Sequence, residues 1–367
     1  MCIEQKMQQQ PFTDGLPAKI ITLTNQRGSS ISVMDVGATW LSCKIQMLHE
    51  LREVLLGVDS MQKHLEQTVY LGATVGRYAN RIKKGKFDIN GKTFQTSTNQ
   101  SGNLLHGGYE GFDKRRWEVS SLSANKVTFS LFSVDGDQGF PGNLSVTVSY
   151  QLDEDNQVAV EYNANIDKAC PVNLTNHAYF NLMGAEIGQD CLTHTLQINA
   201  DYYLPSDEYG LPLGELKPVM DSSFNFLNAK IIKKDFLNEV QQQNKSGYDH
   251  SFLLAEQAKC ADGSLLKQFT AATLIAPDDS LQLHVITDMP AIHLYTGNFL
   301  QGTPGRDKTI YNNNAGIALE TQFLPDSPNH LQWPQRTVLL TPNNTYQSIT
   351  RYCFTAHSVD SLSDTIV

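Results

Sequence analysis

Residues 173–182, NLTNHAYFNL, place an ionisable histidine among hydrogen-bonding side chains. Successive side chains of a β strand point to opposite faces, so a strand here collects every second residue on one polar face. The residues of that face are Asn173, Thr175, His177, Tyr179 and Asn181. Histidine is the one side chain whose unperturbed charge change falls near neutral pH. We therefore predict that His177 transfers protons in a polar cleft, where the ligand is rich in hydroxyl groups.

A second candidate is a glutamate on another alternating segment, residues 317–323. Glu320 shares one face of this segment with Ala318 and Gln322, opposite an almost wholly apolar face. Polar residues are concentrated in five segments in all: 76–82, 103–108, 173–182, 247–250 and 316–329. Taken singly, a lone histidine or glutamate is more often structural or solvent-facing than functional. Spacing alone does not show that the five segments converge.

The composition is that of an ordinary folded protein and excludes several classes of partner. The chain has 367 residues, of which 40% are hydrophobic and 18% are charged, so disorder is not expected. Its net charge of −10 argues against nucleic acid, which requires a basic surface. The densest basic run, residues 114–116, is interpreted as a solvated turn.

The sequence contains neither a recognisable targeting signal nor a closely spaced pair of cysteines. The first ten residues contain no apolar segment, which predicts no secretory signal, and no window approaches the roughly 18 apolar residues of a membrane span. The six cysteines include no C-x-x-C pair, which predicts reduced thiols without a disulfide framework or a zinc site. We expect a cytoplasmic protein with no membrane partner. Nothing in the sequence indicates an oligomeric state.

Period-two alternation predicts an all-β fold. The segments 126–134, 144–152 and 158–166 alternate apolar and polar residues and are joined by turns, which predicts an antiparallel meander. Residues 281–285 and 88–94 alternate in the same way, the latter bent at an Asn-Gly turn. Helical periodicity is confined to two short surface segments, 60–68 and 233–243. Many strands with few helices indicate a large β sandwich or barrel.

The chain shows no linker, internal repeat or glycine-rich phosphate loop. We therefore expect a single domain over residues 1–367, with a core at about 15–356 and an unpatterned tail at 357–367. A chain of this length can bury a large core in one domain.

Eight segments together resemble, in the same order, the aldose 1-epimerase (galactose mutarotase) family. They are GRYANR at 76–81, LHGG at 105–108, FDKRRW at 112–117, DGDQGFPGN at 135–143, TNHAYFNL at 175–182, YDH at 248–250, YTGN at 295–298 and LETQ at 319–322. The resemblance runs from about residue 37 to residue 352. It implies a large antiparallel β sandwich of the galactose mutarotase type, with an aldose sugar bound in an open cleft. It also implies an isomerase that interconverts the α and β anomers of free hexoses such as galactose and glucose.

The resemblance also implies the roles of individual residues. Glu320 matches the catalytic base of the family and His177 matches the acid. Four further positions match residues that hold the sugar hydroxyls or assist proton transfer: Asn80, Arg81, His106 and Asp249. Only protons move in such a reaction, so we expect neither a metal nor another cofactor. If Glu320 and His177 lie close together, each should favour the charged form of the other.

One position departs from the family pattern. His293 stands where relatives usually carry glutamine, just before the YTGN segment. An imidazole cannot reproduce the simultaneous donor and acceptor geometry of an amide. We therefore treat His293 as a substrate-binding candidate that bears on sugar preference.

Three alternative functions remain open at this point. An epimerase of a hexose 6-phosphate would need several convergent basic residues, and the candidates are Arg77, Arg81 and residues 114–116. A glycoside hydrolase would need a carboxyl pair, for which Asp249 and Glu320 are the natural choice. The third alternative is a sugar-binding module without catalysis, because a fold does not determine a function.

Overall fold

The computed structural model describes residues 3–255 and 268–357. Its α helices α1 to α3 are Ile3–Met7, Met61–Glu66 and Val240–Gln243. Its strands β1 to β15 are Ile20–Thr24, Ser30–Met34, Thr39–Gln46, Leu51–Glu53, Thr74–Val75, Arg81–Ile82, Lys86–Ile89, Lys92–Gln95, Leu104–Leu105, Glu118–Leu122, Lys126–Ser133, Leu144–Leu152, Gln157–Ile166, Cys170–Pro171 and Thr175–Asn176. Strands β16 to β29 are Tyr179–Phe180, Thr195–Ile198, Tyr202–Leu204, Lys217–Pro218, Lys230–Ile231, Asp249–Leu253, Phe269–Ile275, Leu281–Thr287, Ala291–Tyr295, Thr303–Pro304, Ile310–Tyr311, Ile317–Gln322, Leu339–Leu340 and Tyr346–Ala356.

Three sheets form most of the molecule, and their strands pair antiparallel. The largest has nine strands in the order β10-β11-β12-β13-β29-β23-β22-β17-β20, the second has six in the order β16-β27-β24-β21-β18-β19, and the third has β1 to β4 in sequence order. Aromatic side chains join the three. Trp40 of β3 lies 5.4 Å from Tyr352 of β29 and 5.9 Å from Phe180 of β16 between ring centroids. The predicted all-β sandwich is confirmed.

The strand predictions made from alternation agree with the structure. Strands β11, β12 and β13 form the expected meander, and β7 and β8 form a hairpin around the Asn-Gly turn. Helix α2 lies inside the predicted segment 60–68. The segment 233–243 is not one helix, because a 3₁₀ turn at Ile232–Asp235 and α3 are separated by residues 236–239.

The prediction of one continuous strand over residues 173–182 is wrong. Strand β15 pairs with β5 and strand β16 pairs with β27, and His177 lies between the two short strands. The polar row divides accordingly. Asn173 donates to the Ala79 carbonyl and Asn181 to the Ala315 carbonyl, so these amides satisfy buried backbone groups instead of facing a groove. The segment changes its pairing partner where a single strand would have continued.

Other expectations concern absences and the chain ends. In the described ranges, none of the helices is long and apolar enough to cross a membrane. The four cysteines found there are free: Cys43, Cys170, Cys191 and Cys353. The predicted tail covers residues 357–367, of which residues 358–367 lie outside the described residues.

Gly72 connects strand β3 to the segment that carries His177. Its carbonyl accepts from the Trp40 amide at 2.8 Å, and its own amide donates to the His177 carbonyl at 2.9 Å. Its φ is +66°, and an added Cβ would lie 2.0 Å from the Trp40 carbonyl oxygen. Only glycine allows this conformation together with such a close approach of two backbones.

We predict that Gly72→Ala lowers the free energy of unfolding by about 2–5 kcal/mol. A left-handed backbone costs about 1–2 kcal/mol for alanine, and forcing extra atoms into a packed site adds about 1–3 kcal/mol. Gly91→Ala is the matched control, since Gly91 has a similar φ of +79° but no atom within 4 Å of an added Cβ. Urea unfolding of both variants measures the difference, and equal losses would contradict the assigned role of the close contact.

Candidate active site

The seven candidate residues line one cleft of about 530 Å³. They are Asn80, Arg81, His106, His177, Asp249, His293 and Glu320. The cleft lies against one face of the six-stranded sheet. The sequence segments that contribute these residues are separated by up to 240 positions, so only the sheet topology brings them together.

The register of three neighbouring strands aims three of the side chains at the cleft. Glu320 of β27 lies opposite His293 of β24, and His293 lies opposite Ser251 of β21. Directly opposed residues share a face of the sheet, as do residues two apart on one strand. Asp249 therefore projects from the same face as Glu320 and His293. The prediction that Glu320 points away from the apolar layer is confirmed.

His177 does not belong to these three neighbouring strands, but its side chain approaches Glu320. The distance from its Nε2 to Glu320 Oε1 is 3.6 Å. Its backbone is held by Ala73 and Gly72. Its ring lies at 4.8 Å from the Tyr179 ring and stacks with the Tyr70 ring at 5.7 Å between centroids. The imidazole is thus fixed on both faces while one edge meets the carboxylate.

Burial controls the protonation of this pair. It raises the pKa of Glu320 to about 8, with a smaller contribution from the negative charge of Asp249 and opposition from Arg81. It lowers the pKa of His177 to about 3, assisted by the positive charge of His293. In the unliganded protein the net pKa shifts thus favour a neutral Glu320 and a neutral His177, opposite to the charged forms that acid–base transfer to a ring sugar requires at the start. Removal from water disfavours both charges more strongly than their proximity favours them.

Asn80, Arg81 and His106 form one hydrogen-bonded unit beside the pair. The backbone N–H of Asn80 donates to His106 Nδ1 at 3.2 Å, so the neutral imidazole carries its proton on Nε2. Burial, followed by the charges of His177, Arg81 and His293, lowers the pKa of His106. Arg81 donates from Nη1 to Asn80 Oδ1 at 3.3 Å and from Nε to Gln100 Oε1 at 2.8 Å. His106 thus supplies a neutral hydrogen-bond donor to the cleft, and Arg81 supplies a cation whose position is fixed.

Asp249 and His293 form a second pair. His293 Nε2 lies 2.8 Å from Asp249 Oδ1, and His293 Nδ1 lies 2.7 Å from Ser251 Oγ. Burial alone would raise the pKa of Asp249. The hydrogen bond from His293 and the positive charges of His293, Arg81 and Lys245 outweigh it and hold that pKa well below its usual range. Asp249 is thus an ionised hydrogen-bond acceptor.

Sequence reasoning missed several residues of the cleft. Tyr70 has no signal in the sequence, although it stacks on His177. Lys245 is buried, donates to the Glu208 carbonyl at 2.9 Å and has its pKa lowered by that burial; its position just before the YDH segment was the available signal. Tyr209 and Phe299 line the mouth of the cleft and are about half exposed.

Basic residues outside the cleft are engaged in the fold. Arg77 donates to the carbonyls of Ser133 and Gly142. Arg115 pairs with Asp137, and Arg116 bridges two aspartates, so the run at 114–116 is structural and not simply a solvated turn. Apart from histidines, the cations among the described lining residues are Arg81 and Lys245. In the same described ranges, no group of three or more His, Cys, Asp or Glu residues could hold a metal ion.

Comparisons with known proteins give matches over most of the chain. A sequence model of the family described as aldose 1-epimerase matches residues 19–353. The chain is 48% identical to the aldose 1-epimerase of Escherichia coli K12 over 344 residues, covering 94% of this chain and 97% of that protein. It is 51% identical to the aldose 1-epimerase of Haemophilus influenzae over 324 residues, covering 87% and 91%. The human galactose mutarotase is 40% identical over 303 residues, covering 82% and 84%.

Solved structures show the same fold. A GalM/aldose epimerase homologue from C. elegans superimposes with a TM-score of 0.82 at 27% identity, covering 93% of this chain and 100% of that chain. The galactose 1-epimerase of Lactobacillus acidophilus gives 0.79 at 28% identity, covering 94% and 97%. Fold and site thus define a β-sandwich isomerase with a sugar cleft. The chain belongs to the aldose 1-epimerase family, whose reaction is the interconversion of the α and β anomers of aldoses.

We predict that Glu320 is protonated at neutral pH in the unliganded protein. Because burial raises its pKa to about 8, the carboxyl group keeps its proton below that pH and loses it as the pH rises through about 8. The measurement is the infrared difference spectrum of wild type minus Glu320→Gln, which isolates one protonated carboxyl band. A difference band that titrates near the ordinary value of 4.5 would contradict the assigned effect of burial.

Proposed function

We propose that the protein interconverts the anomers of free hexoses such as galactose and glucose, and that Glu320 and His177 transfer the protons. The observation that carries the proposal is the 3.6 Å approach of these two groups inside a cleft lined by hydrogen-bonding side chains. Relatives named galactose mutarotase, at 39–40% identity, support the hexose class.

The reaction divides into ring opening, rotation and ring closure. Glu320 removes the proton of the anomeric hydroxyl while His177 protonates the ring oxygen, so the C1–O5 bond breaks and an aldehyde forms. The C1–C2 bond then rotates. Closure reverses both proton transfers and delivers the other anomer. No proton is gained or lost overall, because the proton given by His177 is matched by the one that Glu320 receives.

The protonation state favoured by burial is the one that accompanies the open-chain sugar. After ring opening Glu320 is neutral and His177 is neutral, as in the unliganded protein. Burial raises the pKa of Glu320 and lowers the pKa of His177, so moving the proton from Glu320 to His177 costs free energy. Attraction between the two resulting charges at 3.6 Å and hydrogen bonds from the bound pyranose offset that cost.

Of the other five candidates, three contact the sugar and two orient those three. Asp249 accepts from a hydroxyl, and His106 donates through its Nε2 proton. Arg81 remains cationic and stabilises negative charge that develops on oxygen during ring opening. Asn80 fixes the orientation of Arg81 and His106, and His293 does so for Asp249. This assignment also argues against a glycoside hydrolase, because the partner that lies 3.6 Å from Glu320 is the imidazole of His177, which takes the acid role that a second carboxyl group would have in a hydrolase.

A free sugar suits the cleft better than a phosphorylated one. A phosphate group requires several convergent cations with free donors. The described lining residues include two cations besides the histidines, Arg81 and Lys245, and each already has a hydrogen-bond partner within the protein. This small number of cations argues against the hexose 6-phosphate alternative.

We further propose one domain and a cytoplasmic location. One core cluster contains residues from Leu23 to Phe354, which supports a single folding unit over about 15–356. Free thiols at the four described cysteines are typical of a reducing compartment.

We predict that Glu320→Gln lowers kcat by about 10²- to 10⁴-fold and leaves sugar binding largely intact. Glutamine keeps the shape and a hydrogen-bonding oxygen but cannot accept the anomeric proton. Polarimetry of freshly dissolved α-galactose gives the rate, and calorimetry gives the affinity. Glu161→Gln is the control, since Glu161 pairs with Lys126 on the nine-stranded sheet, away from the cleft. A near-normal rate in Glu320→Gln would remove this residue from the mechanism.

We predict that His106→Asn and Asp249→Asn damage both KM and kcat. Each change removes a hydrogen bond that the sugar makes to a fixed or charged partner, worth about 1.5–3 kcal/mol, which corresponds to about 10- to 100-fold in kcat/KM. Steady-state polarimetry over a range of sugar concentrations separates the two parameters. An unchanged KM in both variants would contradict their assignment to the sugar site.

A further inference from the structure

We infer that Ser251 is a positioning residue of the sugar site and that it acts on Asp249 through the imidazole of His293. The inference rests on the proposed function, because it assumes that Asp249 binds a sugar hydroxyl. Ser251 is absent from the lining of the cleft, so it has no direct contact with a bound sugar to offer.

The three residues form a continuous chain of hydrogen bonds across two strands. Asp249 and Ser251 lie two residues apart on β21 and share a face, and His293 lies directly opposite Ser251 on β24. The ring therefore bridges the two residues of the neighbouring strand, at 2.7 Å to the Ser251 hydroxyl and 2.8 Å to the Asp249 carboxylate. Only Oδ1 of Asp249 is used, and in the described ranges no hydrogen bond occupies Oδ2. That oxygen remains for the sugar.

The chemistry of the three groups assigns a direction to these bonds. An ionised carboxylate can only accept, so His293 must present a proton on Nε2. In a neutral ring, Nδ1 is then an acceptor, and the Ser251 hydroxyl donates to it. In a protonated ring, Nδ1 carries a proton, and the same hydroxyl accepts it. A hydroxyl serves both states because it is donor and acceptor at once. Ser251 thus holds the ring in place whichever charge His293 carries.

Burial makes this contact necessary. Ser251 is 2% exposed and His293 is 5% exposed, so water has little access to Nδ1. Without the hydroxyl, a buried ring nitrogen would lose its partner, and the ring would no longer be fixed about its last torsion angle. The bond from Nε2 to Asp249 would lose its alignment in turn.

The same argument explains how the sheet accommodates an imidazole rather than an amide at position 293. An amide carries its donor and acceptor on adjacent atoms at the end of a flexible side chain. An imidazole carries its two nitrogens on different edges of a rigid ring, so that aiming one of them requires a partner for the other. In this protein that partner is Ser251.

The first experiment compares Ser251→Ala with Ser251→Thr, which retains the hydroxyl. We expect the alanine variant to raise KM for galactose by about 3- to 10-fold, because it loses one hydrogen bond. We expect kcat to change by less than about 2-fold. The threonine variant should return KM toward the wild-type value. Ser149→Ala is the matched control, because Ser149 is also a buried serine, at 6% exposed, and its hydroxyl bonds Thr128 on the nine-stranded sheet. An unchanged KM in Ser251→Ala would overturn the inference.

The second experiment tests whether Ser251 acts through His293. In a His293→Gln background, adding Ser251→Ala should raise KM no further, since the ring that Ser251 holds is gone. An equal increase of KM in both backgrounds would overturn the inference. The ¹⁵N signals of His293 provide a readout without activity: Ser251→Ala should shift the Nδ1 signal, and an unchanged signal would also overturn it. If Asp249→Asn and His293→Gln raise KM but Ser251→Ala does not, the proposed sugar site stands and only this inference fails.

Discussion

The cleft is organised around the approach of a buried carboxyl group to a buried imidazole. At 3.6 Å, Glu320 and His177 are close enough to act on one sugar ring from neighbouring positions. Both side chains are removed from solvent, so their neutral forms are favoured. Each charged form is then stabilised mainly by the opposite charge of the other group.

Such a pair requires rigid support, and the support comes from two different parts of the fold. Glu320 belongs to a central strand of the six-stranded sheet, where its direction is determined by the pleat. His177 lies between two short strands and is held by backbone bonds to Gly72 and Ala73 and by the rings of Tyr70 and Tyr179. A regular strand aims one group, and an irregular segment clamped by aromatic rings aims the other.

The polar groups around the two carboxyl groups of the cleft keep one of them ionised and leave the other protonated. Asp249 stays ionised because His293, Arg81 and Lys245 compensate its burial, whereas Glu320 lacks a comparable set of cations and takes up a proton. Two carboxyl groups of one cleft thus differ in protonation through their neighbours. The side chain of Asn80 bonds Arg81, and that of Ser251 bonds His293, so each contacts a residue that lines the cleft.

The sequence by itself determined the β architecture and the direction of Glu320, because a strand with one buried face must alternate, and alternation is visible in residues 126–166 and 317–323. The order of eight short segments also identified the family and seven lining residues. Tertiary structure alone decided the break at His177, since a change of pairing partner leaves no mark on local periodicity. It also decided the contribution of Tyr70 and Lys245 and the protonation of the central pair. Burial and distance in three dimensions control these properties, and neither is encoded in the spacing of residues along the chain.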